Sequence, residues 1–237
     1  MTDKPVTDEP VTDEPATDDP VTDKPVTDEP ATDDPVTDKP VTDGEGLGAI
    51  AWPIRTERLE IRPATEADGP ATWHYRRQES VTLWITIAQP DRELYLADFA
   101  EPSRLAKTLV IELDGRVIGD LMLAIEDAWA QAEVRDRARA VQAELGWSLD
   151  PAHTGNGYVT EAVAELIRIC FEELHLRRVV AQCFADNEPS WRLMERVGMR
   201  RESHDVGGSL HRSGEWLDGL TYAMLADEWR SARTGAL

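Results

Sequence analysis

Only two cysteines, Cys170 and Cys183, occur among the 237 residues. Two thiols cannot build a disulfide framework, and they fall short of the spaced cysteine and histidine sets of structural zinc sites. A metal-free protein is expected. No apolar run reaches the ~20 residues that a membrane-spanning helix needs, and the N-terminus lacks an apolar signal region. The chain therefore reads as cytoplasmic, with no membrane partner. Cations are in the minority too. Lys and Arg total 25 against 46 Asp and Glu, a formal net charge of -21. That balance argues against nucleic acid as a partner. A small anionic ligand stays possible, because it needs only local donors.

The first 43 residues have almost nothing to bury. They run TDKPV TDEPV TDEPA TDDPV, with proline at every fifth position from Pro5 to Pro40. Each proline fixes φ and removes an N–H donor, so neither helix nor strand fits that spacing. The lone Val and Ala residues between them cannot offset chain entropy. Residues 1–43 are expected to be a disordered, extended acidic tail, residues 44–54 a linker, and residues 55–237 one folded domain. The tail holds 14 acidic residues and 3 lysines, net -11, so the remaining 32 acidic and 22 basic residues leave the rest only moderately acidic at -10. The chain beyond the tail is long enough for one hydrophobic core.

In "TERLEIRP", Leu59 and Ile61 alternate with charged residues, a half-buried strand. A first helix follows, with Thr65 as N-cap, and a second lies near 91–100. "KTLVIELDGRVIGDLML" is two strands joined at Asp114-Gly115, a strong short-range hairpin signal. "DAWAQAEVRDRARA" is polar, a loop or short helix outside the sheet. From Val141 to Pro151 the pattern alternates. Val141, Ala143, Leu145, Trp147 and Leu149 share one face, and Gln142, Glu144, Gly146 and Ser148 share the other. A helix is predicted where Val159, Ala162, Val163, Leu166, Ile167, Cys170 and Leu174 repeat. "RRVVAQCF" is a strand. "NEPSWRLMERVGM" is a short helix between Asn187 and Gly198. A last strand and turn occupy "TYAMLADEW". The order, strand, helices, hairpin, strand, helix, strand, helix and a closing strand pair, implies a mixed α/β sheet, mostly antiparallel at first, with a parallel crossover between the Val141 and Arg177 strands.

Between that strand and its helix stands "HTGNGYVTEA", in which Gly155 and Gly157 flank Asn156. A strand end, a glycine turn and a helix N-terminus make a place for an anion, because the first helical N–H groups lack partners and the dipole favours negative charge. Two phosphate-binding patterns are absent. Tyr158 follows Gly157 where an ATP-binding P-loop needs lysine, and Thr160 stands where a dinucleotide fingerprint needs its third glycine. A tight turn with no ligand is the simpler alternative for the same two glycines.

"AELGWSLDPAHTGNGYVTEAV" followed by "ADNEPSWRLMERVGM" resembles the GNAT N-acetyltransferases, in particular the RimJ/RimL type that acetylates protein N-termini. The resemblance spans roughly Thr56 to Trp229 and includes the opening "TERLEIRPATEAD" and the closing "HRSGEW" and "DGLTYAML" stretches. It implies a GNAT-like α/β (α+β) fold, a mostly antiparallel mixed sheet with a splayed parallel pair flanked by helices. It also implies acetyl-CoA as cosubstrate. The pyrophosphate would sit on the backbone N–H groups of Gly155, Asn156, Gly157, Tyr158 and Val159, with Thr154 at the loop's first anchor, where Arg or Gln is usual. The pantetheine arm would bond the backbone around Trp147, Ser148 and Leu149. Asn187 would bond that arm or the acetyl region, or serve only as an N-cap.

Acetyl transfer to an amine needs an uncharged nucleophile and stabilisation of the leaving thiolate. The resemblance makes Glu144 the candidate base, against a solvated strand residue. The tyrosine acid common in the family is replaced by Met194, and the resemblance makes Ser190 the candidate donor to sulfur, against a plain first-turn helix residue. The acceptor is expected to be a primary amine, most naturally a protein N-terminal or other protein amine. A small cationic amine such as an aminoglycoside is the alternative, and a non-catalytic acetyl-CoA-binding module is another. A monomer or homodimer is expected.

Overall fold

The computed structural model describes residues 47–234. The proline repeats of residues 1–43 lie outside the described residues. Among the described residues, eight strands form one sheet: β1 (Ile54–Arg55), β2 (Glu60–Pro63), β3 (Thr108–Leu113), β4 (Arg116–Glu126), β5 (Gln142–Leu149), β6 (Arg178–Phe184), β7 (Arg200–Leu210) and β8 (Trp216–Leu225), in the order β1-β2-β3-β4-β5-β6-β8-β7. Every neighbouring pair is antiparallel except β5 and β6, which are parallel. The expected mixed, mostly antiparallel sheet is the sheet observed.

Local chemistry explains the elements. The β3–β4 hairpin closes at the Leu113–Arg116 pair. Asp114 and Gly115 carry φ of 50° and 73°, the left-handed pair that a two-residue hairpin turn requires. In β3, Leu109 and Ile111 face one side of the sheet, where the main core lies, and Val110 faces the other, where a smaller cluster of Ala64, Tyr95 and Phe99 lies. The small cluster is covered by α1 (Gly69–Arg76), α3 (Arg92–Phe99) and α4 (Pro102–Leu105), and the short α2 (Glu79–Thr82) packs on α1. Asp91 caps α3 by accepting from the Leu94 N–H at 2.9 Å.

The main core lies under α5 (Tyr158–Arg168), α6 (Glu188–Arg196) and α7 (Ala226–Thr234). The predicted helical repeat is seen in α5, where Ala162, Val163, Leu166 and Ile167 are buried. A π-helical turn at Ile169–Glu173 then buries Ile169, Cys170 and Phe171 together, which the regular 3.6-residue spacing does not foresee.

Three stretches differ from the sequence reading. Residues 47–54 fall within the segment expected as a linker, yet Ile50 is buried, the Trp52 indole donates to Leu47 O at 2.7 Å, and Ile54 pairs with Ile61. The segment "TYAMLADEW" holds only the second half of β8, and its last residues open α7 rather than a turn. Strand β7 is a polar edge strand, exposed at most positions, so no apolar alternation marked its limits.

Candidate functional site

The parallel pair is short. Strands β5 and β6 are in register only at Gln142–Arg178, Ala143–Val179 and Glu144–Val180. Beyond Glu144 the strands part. Residues 145–149 stay paired with β4, and residues 181–184 stay paired with β8, but not with each other. The result is a wedge within the sheet, with Glu144 at its vertex and two facing strand edges along its sides. Backbone N–H and C=O groups are obligatory hydrogen-bonding groups, so an opened pair of edges is a slot for a ligand that carries amides. Ser148, in the opened part of β5, supplies a second sign. It is buried, and its Oγ is the one buried side-chain polar atom among the described residues without a hydrogen-bond partner.

At the wide end of the wedge, β5 leads through Asp150 and a short 3₁₀ turn, Pro151–His153, into the glycine loop. Gly155 and Gly157 have φ of 80° and 78°, left-handed values that glycine adopts without steric cost. Gly157 is the N-cap of α5 and makes no side-chain cap bond. The Asn156 amide donates to His153 O and Thr154 O at 3.2 and 3.1 Å, which ties the loop to itself. Gly155, Asn156 and Gly157 are exposed, and no backbone N–H from Gly155 to Val159 is engaged elsewhere among the described residues. The loop thus has the open donors, the absence of a capping side chain and the helix dipole of an anion cradle. Wedge and loop together suit a long ligand with an anionic end and an amide-bearing arm.

Across the wedge, Asn187 caps α6 through its backbone, where Ser190 N–H donates to Asn187 O at 3.0 Å, while its side chain makes no cap bond. Both Asn187 and Ser190 are half-buried. Met194, at the position of the family's usual tyrosine, is fully buried in the core. Trp147 and Leu149 are half-buried and pack on the main core, whereas Ser148 and Glu144 face the other side of the sheet. Glu144 is therefore on the face of α1 and opposite to α5 and α6. Burial raises its pKa, and the neighbouring charge of Glu126 raises it further, while Lys107 works the other way. Cys183, on the opened part of β6, has its thiol pushed up to about 11 by burial.

Several contributors had no sequence signal. Trp84, just after α2, lies 6.1 Å from Phe184, the last residue of β6, and His211 meets Phe184 edge-on at 5.3 Å. His211 Nε2 sits 2.9 Å from Leu83 O. A carbonyl only accepts, so Nε2 carries the proton and Nδ1 accepts from the Ser213 backbone N–H at 3.2 Å. This aromatic group ties the β7–β8 turn to the segment after α2 at the open end of β6. Behind β5, Asp120 accepts from Tyr75 Oη at 2.6 Å and from Arg76 Nε at 3.0 Å. His153 and Tyr158 flank the loop, their rings 6.4 Å apart.

Known proteins resemble this chain in sequence and fold. Residues 58–200 match the Acetyltransferase (GNAT) domain model. The uncharacterized N-acetyltransferase YnaD of Bacillus subtilis (strain 168) is 37% identical over 86 residues, covering 36% of this chain and 50% of YnaD, so the chain spans about half the length of that relative. A GNAT-family acetyltransferase structure from Bacillus anthracis superposes with a TM-score of 0.63 at 29% identity, over 74% of this chain and 99% of that one. Mycobacterium smegmatis RimJ, solved with a CoA-disulfide, shares the fold with a TM-score of 0.58 at 24% identity, over 73% of this chain and 88% of RimJ. The family match covers more than half of the chain and includes both the wedge and the glycine loop: the chain belongs to the GNAT acetyltransferase family.

Proposed function

We propose that the protein is an N-acetyltransferase that moves the acetyl group of acetyl-CoA to a primary amine, with a protein N-terminal or other protein amine as the acceptor class. The observation that carries this reading is the wedge between β5 and β6, which opens at Glu144 and ends at an uncapped glycine loop. The residues fit the cosubstrate. The N–H groups of Gly155, Asn156, Gly157, Tyr158 and Val159 would hold its pyrophosphate, with Thr154 beside them. The open backbone edge of β5 at Trp147, Ser148 and Leu149 would hydrogen-bond the pantetheine amides. The Asn187 side chain, not used in capping, would reach the same arm from α6.

The chemistry follows from which side each group faces. Coenzyme held at α5 and α6 presents its thioester to the wedge. The acceptor then arrives from the α1 side, where Glu144 stands. Glu144, ionised, takes a proton from the ammonium or from an intervening water, and so leaves a neutral nitrogen nucleophile. The Ser190 hydroxyl donates to the sulfur as charge builds on it. The acidic domain suits a cationic acceptor.

The test is release of free CoA thiol from acetyl-CoA by the purified protein. The substrates are short peptides with free N-termini, the same peptides with blocked N-termini, and aminoglycosides. Turnover with free peptides alone is the expected result. Turnover with aminoglycosides alone would replace the acceptor class. No turnover despite coenzyme binding would leave a binding module.

A further inference from the structure

No residue from Thr154 to Val159 is basic, so the glycine loop supplies backbone donors but no cation of its own. The fold brings one in from far earlier in the chain. Arg58 lies in the turn between β1 and β2. Its guanidinium carbon is 4.7 Å from the centre of the Tyr158 ring, and its Nη1 donates to Asn156 O at 2.9 Å. Its Nη2 lies 3.6 Å from the point a Cβ on Gly157 would occupy. One guanidinium thus touches three consecutive loop residues.

Glu161, in the first turn of α5, fixes that guanidinium. Its Oε2 accepts from Arg58 Nε at 2.7 Å, and its Oε1 accepts from the Arg58 backbone N–H at 2.9 Å and from Thr56 Oγ1 at 2.5 Å. Burial opposes ionisation of Glu161, but the bonds from Thr56 and Arg58 hold its pKa below the ordinary glutamate value. The carboxylate grips one edge of the fork, while the Arg58 side chain remains 41% exposed. A planar donor held in place before binding loses little freedom when it meets a phosphate.

We propose that Arg58 is a positioning residue for the phosphates of the coenzyme. It draws the Asn156 carbonyl to itself, which keeps the loop N–H groups facing outward, and it supplies the positive charge that Thr154 does not. This inference rests on the coenzyme reading of the loop. Both effects act at the phosphate end and leave the thioester end untouched.

The test compares two thioesters, acetyl-CoA and S-acetylpantetheine, which lacks every phosphate. The Kd for CoA is measured by calorimetry on the wild type, Arg58→Ala and Arg58→Lys. Loss of a charge-assisted contact should weaken CoA binding by about ten- to a hundredfold in Arg58→Ala and raise KM for acetyl-CoA. Turnover of S-acetylpantetheine should match the wild type. Arg58→Lys keeps the charge and the stem over Tyr158 but not the fork, so it should fall between, and it carries the test should Arg58→Ala melt early. Unchanged CoA affinity in both variants, with a wild type that binds, overturns the role of Arg58 alone. Equal losses for the two thioesters also overturn it, because they mark a general structural role. A wild type that does not bind CoA overturns the coenzyme reading itself, and this inference with it.

Discussion

Glu144→Gln is expected to lower kcat by ~10²–10⁴-fold, the usual contribution of a general base, with Kd for acetyl-CoA unchanged. Glutamine keeps the shape at the vertex of the wedge and removes only the proton acceptor. The pH profile gives the sharper reading. A base works only when ionised, so the rate falls as pH drops through its pKa. Burial, then the charge of Glu126, raises the pKa of Glu144. The acid limb of kcat should therefore lie above the ordinary glutamate range in the wild type, and it should vanish in Glu144→Gln. Raising the pH should partly rescue the variant, because the acceptor amine then loses its proton to solvent. Full activity of Glu144→Gln at neutral pH would leave proximity and backbone polarisation as the sources of rate.

The second large effect concerns stability. Asp120 is buried in β4, and so is the Tyr75 hydroxyl that bonds it. Arg76 pairs with the same carboxylate, and its side chain is only 17% exposed. Burial works against the Arg76 charge, and Asp120 more than offsets it, so the guanidinium stays ionised. Asp120→Ala would leave that charge without its partner and the tyrosine hydroxyl without its acceptor. Breaking one half of a buried ion pair costs about 3–5 kcal/mol. The urea midpoint should drop accordingly with an unchanged m-value. Asp120→Asn keeps an acceptor for Tyr75 and should cost less. The function is tied to this contact, because Asp120 is the β4 partner of Ser148 and fixes α1 against the back of the wedge. A variant as stable as the wild type would mean that Arg76 finds water instead.

Much of the fold was legible because local chemistry repeats. Asp114-Gly115 announced a hairpin, the alternation from Val141 to Leu149 announced β5, and the spacing from Val159 to Cys170 announced α5. The glycine loop was legible for the same reason, since a strand end, two glycines and a helix start are contiguous in sequence. What the sequence could not show depends on distance along the chain. Arg58 reaches Asn156 across 98 residues, and no periodicity encodes that meeting. Glu126 raises the pKa of Glu144 only because two strands lie side by side. Trp84, Phe184 and His211 come from three separate elements. The limits of strand β7 stayed hidden for another reason. "RRESHDVGGSL" is an edge strand facing solvent, and an edge needs no apolar face to pair its backbone.

If acetyl-CoA lies on the glycine loop and runs into the wedge, its affinity depends on Gly157. Calorimetric titration of acetyl-CoA into the wild type and into Gly157→Gln measures that dependence. Gly157 has φ of 78°, so any side chain there strains the turn, at a cost of roughly 1–2 kcal/mol, and a long one enters the space that the phosphates need. Binding by the wild type, with binding lost or greatly weakened in a Gly157→Gln protein that remains folded by circular dichroism, is the predicted result. Equal affinity in the two proteins would mean that the coenzyme does not lie on this loop.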